Sequence, residues 1–133
     1  MKKEKPSLNS KLDEQLRNIS FEDSDSAKSK IEELFESWEF NKKLTEELGL
    51  RFGYRKDNIQ VETQFGNIAR YYTDIIKLEK AFQDDLIDIG VLIVPDRDRS
   101  KSIGTNVAYY ERVEKELKEI REIISCPIVV YGI

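Results

Sequence analysis

Histidine is absent from the 133 residues, cysteine occurs once and proline three times. The first absence excludes a Ser-His-Asp triad, a Cys-His pair, a histidine zinc site and a histidine general base. Any catalysis falls to carboxylates, lysines, a metal ion or the single thiol. The lone Cys126 can build no disulfide framework, which points to a reducing compartment. Its place beside the apolar run Pro127 to Val130 marks it as a buried small hydrophobe. No apolar run approaches the roughly 20 residues a membrane helix needs, and the start Met1-Lys-Lys-Glu-Lys-Pro has no signal-peptide core behind it. A soluble, cytoplasmic protein without a membrane partner is expected.

What is present suits one domain, long enough to bury about two thirds of the surface its unfolded chain exposes. A net charge of -4 argues against a protein that coats nucleic acid through a basic surface. Only residues 41–80 are net positive, with eight basic against six acidic side chains.

Residues 1–23 read as an N-terminal arm or a weak amphipathic helix, since Leu8, Leu12, Leu16 and Ile19 recur at spacings of four, four and three. The domain proper is expected over 24–133. Ser24 or Ser26 can cap a helix running to about Phe40, with Ile31, Leu34, Phe35 and Trp38 on one face. A strand through Phe52 and Tyr54, a turn at Asp57-Asn58 and a second strand from Ile59 to Phe65 follow. The spacing then predicts a helix from Ile68 to about Asp84, a buried strand over 87–94, a charged loop over 95–100, a helix over 106–124 and a strand over 128–131. This order describes a mixed α/β domain.

If Asp57 and Asn58 are the two turn residues, Gly53 faces Glu62 and Arg55 faces Gln60 across the hairpin. Alternation puts Gln60, Glu62 and Gln64 on one face of the second strand and Ile59, Val61, Thr63 and Phe65 on the other. A carboxylate in mid-strand, backed by a polar side chain two residues later, is what a divalent-metal phosphodiesterase uses to hold Mg²⁺ and orient water. The same alternation also describes a solvated outer strand face.

The run Ile59-Gln-Val-Glu-Thr-Gln-Phe-Gly-Asn67 resembles the strand of BglII-type restriction endonucleases. These are members of the PD-(D/E)XK superfamily in which glutamine replaces the terminal lysine of the motif. Val61, Glu62, Gln64, Phe65, Gly66 and Asn67 carry the match, which continues through Asn106, Tyr109-Tyr110-Glu111 and the closing apolar strand to Gly132. The resemblance implies an αβββαβ core with a central mixed sheet flanked by helices. It also implies Mg²⁺-dependent cleavage of double-stranded DNA, with Mn²⁺ as a substitute, by a homodimer. Glu62 then binds the metal, and Gln64 stands where the catalytic lysine would be. Asn67, Thr105 and Asn106 match positions that read base edges, for which asparagine is suited; helix caps are the alternative for each. Nothing in the residues specifies a methyltransferase partner.

One departure stands out. The family keeps an aspartate nine residues before the glutamate, where this chain has Gly53, and a shift of two reaches only Arg51. Candidates to supply the missing carboxylate are Asp57, as a metal ligand, Glu46 or Glu47, and Glu33 or Glu36 of the first helix, Glu33 in a catalytic role. Arg70, Lys77 and Lys80, with Lys42, Lys43, Arg55 and Lys56, are either phosphate contacts or solvated surface. A degenerate, catalytically inactive DNA-binding or protein-interaction module is the competing function. A third is an interaction domain using Trp38, Tyr71, Tyr72, Tyr109 and Tyr110 as a dimer surface.

Overall fold

The computed structural model describes residues 8–133. Its core is a five-stranded mixed sheet in the order β1-β2-β3-β4-β5: β1 (Glu39–Phe40), β2 (Tyr54–Lys56), β3 (Ile59–Thr63), β4 (Ile89–Val94) and β5 (Ile128–Gly132). The first three strands pair antiparallel, and β3-β4 and β4-β5 pair parallel. Parallel neighbours need crossovers. Helix α3 (Tyr71–Gln83) supplies one, and α4 (Arg97–Ile103) with α5 (Tyr110–Ile120) supplies the other.

The hairpin has the expected register, with Tyr54 opposite Val61, Arg55 opposite Gln60 and Lys56 opposite Ile59. Asp57 and Asn58 both take positive φ, 49° and 66°, the conformation a two-residue turn needs to match strand twist. Because side chains alternate, β3 serves two layers. On one face Val61 joins Tyr54, Val91, Ile93 and Tyr131 beneath α1 (Ser10–Arg17) and α2 (Ser24–Leu34), which contribute Leu12, Leu16 and Ile31, with Phe35 at the C-cap of α2. Leu8, Leu12, Leu16 and Ile19 are all buried in this core.

The opposite face is covered by α3 and α5. Tyr71, Ile75 and Leu78 of α3 are buried there with Leu92 and Val94 of β4. Gly90 brings α3 close, since a Cβ at that position would lie 2.9 Å from the Leu78 side chain. Cys126 is buried as expected, and burial pushes its thiol up to about 12, far from a reactive thiolate.

Several boundaries differ from the sequence reading. Helix α2 stops at Leu34, and Glu39–Phe40 leaves it to pair with Arg55 and Tyr54 as an edge strand. The expected charged loop over 95–100 is mostly helix: the Asp96 carboxylate accepts the Arg99 N–H at 2.8 Å and caps α4. Arg99 then donates to the Ile19 carbonyl and lies over the Phe21 ring, tying α4 to the α1-α2 connection. The last helix begins at Tyr110 rather than Asn106, because Asn106 has a φ of 55° and Val107 bridges to Asn67. Tyr71 is fully buried, so it belongs to the core and not to an exposed aromatic surface; Tyr72 stacks on it at 4.3 Å.

Candidate functional site

The polar row of β3 is buried, not solvated. Gln60 is wholly inaccessible and Glu62 is 3% exposed: α3, packed on the neighbouring β4, brings Lys77 against Glu62, and Arg55 lies against Gln60. Each group is satisfied locally. The Gly53 N–H donates to both Glu62 carboxylate oxygens at 3.0 and 3.1 Å, and the Gln60 amide donates to Oε2 at 3.0 Å. Arg55, packed over the Phe52 ring, donates to the Gln60 Oε1 at 2.7 Å. Burial pushes Glu62 up to about 7, against the opposing pull of the Gly53 N–H and the Lys77 ammonium.

Two residues that the sequence reading did not assign to the centre complete it. Asp74 of α3 is 5% exposed, and its Oδ2 accepts the Gln64 amide at 3.0 Å. Lys77, one helical turn further on, places its ammonium 3.6 Å from Glu62 Oε1 and 3.6 Å from Asp74 Oδ1. Burial also raises Asp74, while Gln64 and Lys77 pull it down. Gln64 is committed at both ends, since its Oε1 accepts the Gly66 N–H at 3.0 Å. The group opens into a cleft of about 350 Å³, walled by Asn41, Arg51 and Phe52 opposite Gln64, Asp74 and Lys77.

A signal for Asp74 was present in the sequence. Tyr71, Asp74, Ile75, Leu78 and Ala81 form the buried stripe of α3, so a carboxylate stands where the helical period calls for an apolar residue.

The expected substitutes for the missing aspartate lie elsewhere. Asp57 is exposed in the turn, five residues from Glu62 and so roughly 16 Å along the strand. Glu33 and Glu36 are exposed on or just beyond α2, which covers the other face of the sheet. Glu46 and Glu47 are exposed in the connection between β1 and β2. Gly53 itself cannot carry a side chain in this backbone: a Cβ there would lie 2.4 Å from the Val61 carbonyl oxygen. Among the described residues, no three His, Cys, Asp or Glu side chains come together in a metal-ligating group.

The candidate DNA-reading residues divide. Asn67 and Asn106 are adjacent in space although 39 positions apart in the sequence: Asn67 bridges to Val107, and the Ile68 N–H donates to the Asn106 carbonyl at 2.6 Å. The Asn67 side chain also caps the short helix Ile68–Arg70 by accepting the Ala69 N–H. Thr105, Asn106 and Arg70 are exposed. Beside Asn106 a second cleft of about 270 Å³ is lined by Arg97, Lys101 and Arg112 and by no carboxylate. Arg97 lies in the segment expected to be a charged loop, and helix α4 brings it to one cleft with Lys101. Lys56 lies apart at the turn end of the hairpin and reaches Ser37. Lys42 and Lys80 pair with Glu39 and Asp84, Arg55 is held by Gln60, and Lys77 belongs to the buried centre.

A hairpin leading into a parallel crossover, with a buried carboxylate at the mouth of a cleft, defines a protein of the restriction-endonuclease fold. The entire chain, residues 1–133, matches the family described as restriction endonuclease BglII/BglIII, and it belongs to that family. Among solved structures it is similar to restriction endonuclease BglII complexed with a DNA 16-mer. That likeness has a TM-score of 0.76 and 17% sequence identity, over 94% of this chain and 71% of that one. At this identity the likeness is one of fold. No curated protein matches in sequence. Among the described residues, no helix is long and apolar enough to cross a membrane.

Proposed function

We propose that the protein is an endonuclease that hydrolyses phosphodiester bonds of double-stranded DNA with Mg²⁺, or Mn²⁺ in its place, acting as a homodimer with one protomer for each strand. The observation that carries this reading is Glu62: a carboxylate 3% exposed, anchored by backbone and side-chain donors, and facing an open cleft in the fold of a DNA-bound nuclease. Evolution of a core for stability alone gives no reason to bury that charge.

The site suits a hard cation. Its donors are oxygens, and the Lys77 ammonium already rests against Glu62, so positive charge is accepted there. When bound, Mg²⁺ supplies Lewis-acid stabilisation of charge on the phosphate and lowers the pKa of water. The chain's own residues do the positioning. Glu62 would hold the ion, fixed in direction by Gly53 and Gln60. Gln64, bonded at both ends of its amide, holds Asp74 and the Gly66 turn rigid rather than moving a proton. Asn67, Thr105 and Asn106 reach base edges, while Arg70, Arg97 and Lys101 meet phosphates. The adjacency of the two asparagines and the basic cleft beside them support this assignment.

The test is incubation of supercoiled plasmid with the full chain in Mg²⁺ and in Mn²⁺, alongside Glu62→Ala. Cleavage that Glu62→Ala abolishes establishes the nuclease. A second reading, a DNA-binding module without catalysis, is favoured by the glycine at position 53 and by the ammonium on Glu62. A folded protein that shifts DNA in a gel and cuts it with neither ion would establish that reading instead.

A further inference from the structure

We propose that Asp74 is the second carboxylate of the metal centre, taking over from the side chain that position 53 lacks, and that Lys77 is a built-in cation which a divalent ion displaces. The inference rests on the nuclease reading above and goes beyond it in naming residues of α3 as site components.

Three observations converge. The hairpin cannot supply the second ligand, because a side chain at 53 would collide with the Val61 backbone at 2.4 Å, and the Gly53 N–H is already used to anchor Glu62. Asp74 is presented to the same point by a different element. Gln64 holds its Oδ2, leaving Oδ1 turned toward the Lys77 ammonium, which Glu62 Oε1 also meets at the same distance of 3.6 Å. Among the described residues, Lys77 is the only cation in ion-pair range of either carboxylate.

The charges favour exchange. With both buried carboxylates ionised, one ammonium leaves a negative charge uncompensated, whereas a divalent ion in its place balances both. Lys77 is free to leave: its side chain is 18% exposed at the cleft wall, and four methylenes let the ammonium swing to solvent without moving α3. Gly90 keeps the arrangement within reach, since it lets α3 pack close over β4, the strand beside β3.

The experiment is calorimetric titration of the DNA-free full chain with MnCl₂, comparing wild type, Asp74→Asn, Lys77→Met and Glu62→Gln, each checked for folding by circular dichroism. One Mn²⁺ is expected per chain. Asp74→Asn should weaken binding at least about tenfold, as loss of a charged oxygen ligand does, and Lys77→Met should tighten it several-fold by removing the competitor. Asp74→Asn with wild-type affinity would overturn the proposal, as would weaker binding by a folded Lys77→Met, or absence of binding by both wild type and Lys77→Met. Plasmid cleavage by wild type separates the failures. If DNA is cut while Asp74→Asn binds Mn²⁺ normally, the nuclease stands and Asp74 is not a ligand; if no ion binds and no DNA is cut, the nuclease reading itself fails.

Discussion

The two faces of the sheet are built from the same strands and each carries an apolar core, but they part company at β3. Beneath α1 and α2, β3 contributes Val61 to a layer of leucine, isoleucine and aromatic side chains in which Phe35 stacks on Tyr54 at 5.0 Å. Beneath α3, the next positions of that strand contribute Gln60 and Glu62, met by Asp74 and Lys77 from the helix. Both faces are buried, so burial alone does not tell a core from a site. What separates them is whether the buried groups lower the free energy of folding by leaving water or require partners to tolerate leaving it.

That contrast can be broken at its strongest point first. Phe35→Ala removes a fully buried ring from the apolar face and should cost about 3–5 kcal/mol in urea unfolding. A loss as large from Glu62→Gln would erase the distinction, since the amide keeps the volume and one oxygen to accept the Gly53 N–H while removing the charge. Gly53→Asp should act next in size, losing about 1–3 kcal/mol because its Cβ meets the Val61 carbonyl. It should leave Mn²⁺ affinity no higher than wild type in the same titration; a gain would show that the hairpin yields and that the family's original ligand geometry is recoverable.

The smallest effect belongs to the periphery of the apolar face. Asp13 bonds Arg17 and the Tyr131 hydroxyl, and these contacts hold its carboxyl below the ordinary 3.8. Its folded-state pKa is therefore depressed, so its stabilisation is present above about pH 4 and is lost as pH falls through the folded value. Asp13→Asn should lower neutral-pH stability slightly and flatten the fall of melting temperature below pH 4 by the same small amount.

The hairpin was the most legible part of the chain. Asp57-Asn58 fixes a two-residue turn, the turn fixes the register, and the register places Glu62 against Gly53. The polar row of β3 was legible too, but not its burial, because alternation along a strand carries no information about what packs on it. That depends on the crossover of α3, a long-range event to which Gly90 and Leu78 contribute. Asp74 and Lys77 were obscured for the same reason: a carboxylate and a lysine three apart on a helix describe an ordinary surface pair until the helix is laid over Glu62. Glu33 and Asp57 show the converse, since acidic residues of the right type for an expected site are turned away from it by the face and the turn they occupy. Helix α4 was legible in principle through the Asp96 cap, but proline and alternating charge drew attention to a loop.

On the nuclease reading, the buried polar cluster beneath α3 serves chemistry rather than stability. The most direct measurement is plasmid cleavage in Mg²⁺ and Mn²⁺ by wild type and Glu62→Gln, with melting temperatures taken on the same samples. Cleavage by wild type is expected, with a fall on the order of 100-fold or more in Glu62→Gln, since even groups outside the ligand set cost about 10–100-fold, and a melting temperature that is unchanged or raised. Cleavage that survives in Glu62→Gln, or a melting temperature that collapses with it, would mean that the cluster serves the fold and not the chemistry.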